Sequence, residues 1–142
     1  MKIAIGGDHA GFQYKERLIQ FLKDQHHEVQ DFGPGTDQSV DYPDHVHPLA
    51  SSISSQKNEL GILICGSGNG VAITANKHAD IRAALCWTSD LAALARQHNN
   101  ANIICLPARF IAYEYAESLV KIFLETPFEG GRHQRRVDKI NC

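Results

Sequence analysis

Five short apolar runs, each followed by a stretch with helical spacing, predict an α/β fold. The expected form is a three-layer, Rossmann-like architecture: a five-stranded parallel sheet with helices on both faces. Three observations carry that expectation. Strand-like and helix-like patterns alternate from Lys2 to Leu124. The third run, Leu60 to Ile64, is apolar nearly throughout, as in a strand covered on both sides. Glycines gather where runs give way to helices, at Gly6-Gly7 and again at Gly66, Gly68 and Gly70, where a chain leaving a strand must turn sharply.

Taken in order, Lys2 to Ile5 is the first strand, stopped by Gly6-Gly7. Phe12, Leu18, Ile19 and Leu22 recur at helical spacing within Phe12 to His26. Glu28 to Phe32 is a second strand, ended by Gly33-Pro34-Gly35. A helix is expected over Pro43 to Gln56, with Pro48 weakening its first turns. The third strand, Leu60 to Ile64, leads through the glycines into a helix over Val71 to Lys77. Ile81 to Cys86 is the fourth strand and Ser89 to His98 an Ala/Leu-rich helix. Ile103 to Leu106 is the fifth strand, followed by a long helix over Ile111 to Leu124. Pro127 to Cys142 is a polar, basic tail hinged at Gly130-Gly131. No internal repeat or second domain interrupts residues 1–142. Sequential βαβ units impose right-handed crossovers, and ligands in such sheets sit outside the carboxyl ends of the strands. The loops to inspect are therefore Gly6 to His9, the one after Phe32, Cys65 to Gly70, the one after Cys86, and Pro107 to Arg109.

At 142 residues the chain can bury about 70% of its unfolded surface without staples. A net charge of −2 disfavours a nucleic-acid partner. No apolar run approaches the roughly 20 residues needed to span a bilayer. The opening MKIAIGGDHAG lacks a long apolar signal segment, so a soluble cytoplasmic protein is expected. No two of Cys65, Cys86, Cys105 and Cys142 are spaced as a redox or zinc pair. Cys86 and Cys105 lie in apolar runs and read as small buried hydrophobes. Cys142 ends the chain and is expected to fray.

Cys65 stands apart because Gly66-Ser67-Gly68-Asn69-Gly70 follows it directly. A Walker A loop needs a lysine where Ser67 stands. A dinucleotide fingerprint needs a third glycine where Val71 stands. The first loop, GGDHAG, with Asp31 at the end of the second strand, is a closer dinucleotide match, but Asp8 would repel the pyrophosphate. A cysteine phosphatase loop needs an arginine where Val71 stands. What remains is a thiol at a strand end beside backbone donors. Successive N–H groups entering a helix attract anions and lower a cysteine's pKa. Such a loop offers a thiolate-prone base and donors for an oxygen that turns negative, the pair required to move a proton beside a carbonyl. The alternative is a structural glycine turn with an inert thiol.

Other polar residues admit two readings each. Asp8-His9 can orient and relay a proton, or Asp8 can simply cap the first helix. His98, before Asn99-Asn100, can be functional or a favourable charge at a helix C-terminus. Arg132, His133, Arg135 and Arg136 form either a solvated tail or a phosphate site. Arg109, just past the fifth strand, lies on the ligand side of the sheet. His26, His27, His45 and His47 complete no ligand set, and no metal is expected.

The stretches IAIGGDHAGF, DYPDH, GILICGSGNGVAITANK, IRAAL, ARQHNNANI and EGGRHQRRV together resemble the ribose-5-phosphate isomerase B family, part of a wider group that includes galactose-6-phosphate isomerase subunits. The likeness runs from the first strand to the tail. It implies cofactor-free interconversion of ribose 5-phosphate and ribulose 5-phosphate, an aldose–ketose isomerisation of the pentose phosphate pathway through an enediolate. On this resemblance Cys65 is the base, with Ser67 and the amides of Gly66, Gly68, Asn69 and Gly70 holding the enediolate. His98 opens the furanose ring, aided by Asp8. His9, Arg132 and Arg136 bind phosphate, with His133 beside them and Arg109 at a further binding position. Asn99 contacts a substrate oxygen and Tyr42 walls the pocket. One branch of the family replaces the cysteine by a glutamate after the glycines. Val71 at that position places this chain with the cysteine type. The resemblance also implies a homodimer, or a dimer of dimers, with residues from about 127 onward reaching the neighbour's site. The alternatives are a six-carbon (allose or galactose 6-phosphate) isomerase of the same family, or a non-catalytic sugar-phosphate-binding module.

Overall fold

The computed structural model describes residues 1–141; Cys142, expected to fray, lies outside them. Five strands, β1 (Lys2–Gly7), β2 (Glu28–Asp31), β3 (Leu60–Cys65), β4 (Ala83–Leu85) and β5 (Ile103–Pro107), form one sheet in the order β2-β1-β3-β5-β4. All four pairings are parallel. The helices are α1 (Phe12–Asp24), α2 (Tyr42–Ser54), α3 (Asn69–Ala75), α4 (Ser89–Asn99), α5 (Tyr113–Glu125) and α6 (Arg132–Val137). The expected three-layer fold is the one observed.

The two layers of core follow from the period of two along each strand. Ile3, Ile5, Ile62, Ile64, Ile104 and Leu106 point to one face, against Leu18 and Leu22 of α1, Ala92 and Ala95 of α4 and Leu119 and Phe123 of α5. Ala4, Leu63, Cys65, Ile103 and Cys105 point to the other, against Val46, Leu49 and Ile53 of α2 and Val71 and Ala75 of α3.

Several boundaries differ from expectation for identifiable reasons. β4 is only three residues long. The Asn102 side chain takes the amide of Arg82, and the Asn76 side chain takes both backbone groups of Ala83, which still pairs with Ile103, so the ladder starts at Ala83 rather than Ile81. α2 runs through Pro48 because its Val46, Leu49, Ala50 and Ile53 face is buried. That burial outweighs a proline penalty of about 3 kcal/mol. The tail, expected to be polar and basic, contains α6, and His133 is buried.

Two features of this topology place the functional loops. The connection leaving β1 runs to β2 on one side and the connection leaving β3 runs to β4 on the other, so the loops after β1 and β3 open side by side at a switch point. By contrast α4 leaves the carboxyl end of β4 and returns to the amino end of β5. Its 11 residues carry the chain about 16 Å back along the sheet. Its last turn therefore lies at the edge opposite Cys65.

Candidate active site

β3 ends on Cys65, which is 4% exposed, and Gly68 turns the chain there with φ of 75°. A side chain at Gly68 would collide with Leu85, so glycine is needed for space as well as for its dihedral. The turn aims the Gly68 amide at the Cys65 sulfur, 3.1 Å away. The Asn69 amide donates to the Ser67 hydroxyl oxygen at 3.2 Å. The amides of Gly66, Ser67 and Gly70 have no partner among the described residues. The loop thus keeps one donor for the sulfur and three for something else.

A cavity of about 480 Å³ opens in front of this loop. Asp8 and His9, delivered by the end of β1, form one wall. Their approach depends on Gly7 and Gly11, where any side chain would strike the Ile64 carbonyl. Asp8 does cap the following 3-10 turn, its Oδ1 accepting from the Ala10 amide at 2.9 Å, and it lines the cavity as well. The Val40 amide donates to His9 Nδ1 at 3.3 Å, which leaves Nε2 as the protonated nitrogen of a neutral ring. Tyr42 lies against Gly70, whose missing side chain makes room for the ring. Arg109 folds over Gly66, its amide bonded to the Gly66 carbonyl at 3.1 Å. Its guanidinium has no carboxylate partner among the described residues, so a cation is available inside the cavity.

Cys65, Gly66, Ser67, Gly70, Asp8, His9, Tyr42 and Arg109 therefore meet in one place, with Gly68 and Asn69 in the same loop. The other predicted residues do not join them. His98, in the last turn of α4, stacks on His133 with ring centroids 4.1 Å apart and planes 10° from parallel. Desolvation, then the neighbouring His98 and Arg132 charges, hold His133 below its ordinary pKa. Glu129 Oε2 lies 3.5 Å from His133 Nε2 and 3.8 Å from His98 Nε2. Asn99 borders a separate cavity of about 590 Å³ with Asn76, Lys77, Arg82 and Ile140. Arg132 and Arg136, one turn apart on α6, have no carboxylate partner among the described residues. This second cluster lies at the amino edge of the sheet, tied to α4 by a hydrogen bond from the Glu129 amide to the Gln97 carbonyl at 3.1 Å.

Asp31 is spent on structure: it accepts from the buried Lys15 ammonium at 2.7 Å and from the Gly33 amide at 2.8 Å, leaving no ribose-binding acid. His45 bonds the Phe32 carbonyl and His47 pairs with His78 at 2.9 Å. Sequence reasoning missed Glu129 and Phe110. Phe110 lines the Cys65 cavity and, with Trp87 and Tyr115, an adjoining apolar hollow of about 610 Å³. These three aromatics are 76%, 50% and 37% exposed. The signal was present, since Trp87 and Phe110 lie two and three residues past the ends of β4 and β5, but a lone aromatic after a strand has no period to mark it.

Comparison with known proteins supplies the frame for this geometry. The model of the Ribose/Galactose Isomerase family matches residues 3–140. The ribose-5-phosphate isomerase B of Escherichia coli K12 is 40% identical over 141 residues, covering 99% of this chain and 95% of its own. A crystal structure of a ribose 5-phosphate isomerase from Thermotoga maritima superposes with a TM-score of 0.96 at 51% identity, over 99% of this chain and 97% of the other. A ribose-5-phosphate isomerase B from Mycoplasma genitalium, solved with bound ribulose-5-phosphate, gives a TM-score of 0.93 at 45% identity, over 98% and 93%.

Proposed function

The chain belongs to the ribose/galactose isomerase family, and from that premise we propose which of its residues carry the reaction. It is an aldose–ketose isomerase that interconverts ribose 5-phosphate and ribulose 5-phosphate. Cys65 is the base. Its thiolate removes the C2 proton of the open-chain aldose and returns it to C1. The free amides of Gly66, Ser67 and Gly70, with the Ser67 hydroxyl, hold the oxygen that becomes negative in the enediolate. A donor so placed contributes about 3 kcal/mol in comparable sites. The amides of Gly68 and Asn69 act indirectly, by holding the sulfur and the serine. The observation that carries this reading is the Gly68 amide directed at the Cys65 sulfur within a cavity that also holds an unpaired arginine.

The second cluster completes the chemistry from another copy of the chain. His98 of that copy opens the furanose ring together with Asp8, Asn99 contacts a substrate oxygen, and Arg132, Arg136 and His133 take the phosphate with His9 and Arg109. Two observations support a two-copy site. The clusters stand at opposite edges of one sheet, and the apolar hollow of Trp87, Phe110 and Tyr115 beside the Cys65 cavity lies open in the single chain. Residues from about 127 onward are then the part of this domain that reaches across.

The test is NMR of ribose 5-phosphate with the protein in D2O. Deuterium is expected at the migrating carbon. Substrate binding without exchange would reduce the protein to a binding module. Parallel turnover of allose and galactose 6-phosphates separates the five-carbon from the six-carbon reading.

A further inference from the structure

Arg82 and Arg96 are left unused by this chemistry, and their arrangement is costly. Both lie at the amino edge of the sheet, and neither has a carboxylate within ion-pairing distance among the described residues. They converge on one residue instead. Arg82 Nε donates to the Asn100 carbonyl at 2.9 Å, and Arg96 Nη1 donates to the Asn100 side-chain oxygen at 3.3 Å. Arg96 Nη1 also donates to the Ala101 carbonyl, and its Nε to the Thr126 carbonyl at 3.3 Å. Burial first, and the Arg82 charge second, hold Arg96 below its ordinary pKa. Asn100 itself sits in the left-handed region with φ 46° and ψ 43°.

Ending a helix does not require this. A single residue in the left-handed conformation closes α4 on its own. Two like charges near one cap must serve something further, and the partners of Arg96 indicate what. Asn100 follows His98 and Asn99 directly. Thr126 closes α5 and opens the segment carrying Glu129, Arg132, His133 and Arg136. One guanidinium therefore joins the end of α4 to the root of the tail.

We propose that Arg96, supported by Arg82, is a positioning residue for the isomerisation: it locks the end of α4 to the tail so that His98, Asn99 and the tail arginines form one preassembled half-site. The lock depends on the planar fork of Arg96, which bonds carbonyls of both segments, and a lysine cannot reproduce it. The inference rests on the two-copy reading of the site given above.

The experiment uses full-length chains co-expressed with two different tags and purified through both, so that each assembly holds one copy of each variant. A Cys65→Ala/His98→Asn hybrid has one intact site in two and recovers about half of wild-type turnover if the site is shared. Arg96→Lys alone is expected to lower kcat by about 10- to 100-fold, the scale of a roughly 1 Å misplacement. Its hybrid with Cys65→Ala recovers to about half of wild type. Its hybrid with His98→Asn gains nothing over Arg96→Lys alone, because each site then carries one of the two defects. Wild-type kinetics for Arg96→Lys overturns the proposal. So does a Cys65→Ala/Arg96→Lys hybrid that stays inactive while the Cys65→Ala/His98→Asn hybrid recovers. If the Cys65→Ala/His98→Asn hybrid itself fails to recover, the shared site is wrong. Arg96 is then judged by the ring-current shifts of the stacked His98 and His133 protons: their loss in Arg96→Lys supports the lock, and their retention removes it. Should Arg96→Lys not fold, Arg82→Gln takes its place in each hybrid, with the same outcomes deciding.

Discussion

The imidazole of His98 lies flat on that of His133, 10° from parallel and 4.1 Å away, so a helix end and a tail separated by 34 residues of sequence share one surface. The contact has a definite sense in pH. A histidine whose folded pKa lies below 6.5 binds its proton less readily folded than unfolded. The stack is thus at full strength above pH 6.5 and weakens as pH falls through the folded value. In an NMR titration His133 should charge below pH 6.5, and His98→Asn should move that midpoint upward. An unchanged midpoint would separate the two rings electrostatically.

Replacing Cys65 by alanine should cut kcat by about 10²- to 10⁴-fold, the range of a lost proton-transfer group, and leave substrate affinity nearly unchanged. Steady-state kinetics with a direct binding measurement decides it. Retained turnover would move the base elsewhere.

The other described thiols should be inert. Burial pushes Cys86 up to about 12 and Cys105 well above the ordinary thiol range. At pH 8, only about one Cys86 in 10⁴ is a thiolate. Iodoacetamide at that pH should therefore label Cys65 before either, as read by peptide mass spectrometry, with saturating substrate slowing it.

Arg132→Ala and Arg136→Ala should each raise KM for ribose 5-phosphate about 10- to 100-fold, equivalent to a charge-assisted hydrogen bond of about 1.5–3 kcal/mol. KM for an unphosphorylated aldose should change little. Equal effects on both sugars would take the phosphate away from α6.

Lys15 is 1% exposed and bonded to Asp31 and Glu16. Lys15→Ala removes both the buried stem and the ammonium and should lower stability by about 3 kcal/mol, or roughly 10 °C in Tm. Lys15→Met should recover much of that, since it refills the space while the half-exposed Asp31 returns to water. Equal losses in calorimetry would assign the whole effect to the ion pair.

The order of elements was legible because buried strands and amphipathic helices write their periods into the chain, as Leu60–Cys65 and Tyr113–Glu125 do. The Cys65 loop was legible for the same local reason, since turn chemistry lies within a few residues. What was hidden depended on distance. The late start of β4 follows from the side chains of Asn76 and Asn102. α6 spans only six residues, too few to show a period, and its buried His133 finds its partner on another helix. That the predicted residues fall into two clusters depends on the return path of α4, which no local pattern reveals.

That return path has a practical outcome. On the two-copy reading proposed above, a polypeptide whose complementary tools lie at its two poles works only in company. Diluted far enough for the copies to part, it should lose specific activity while every molecule stays fully folded, and concentrating the sample should restore the rate without any refolding.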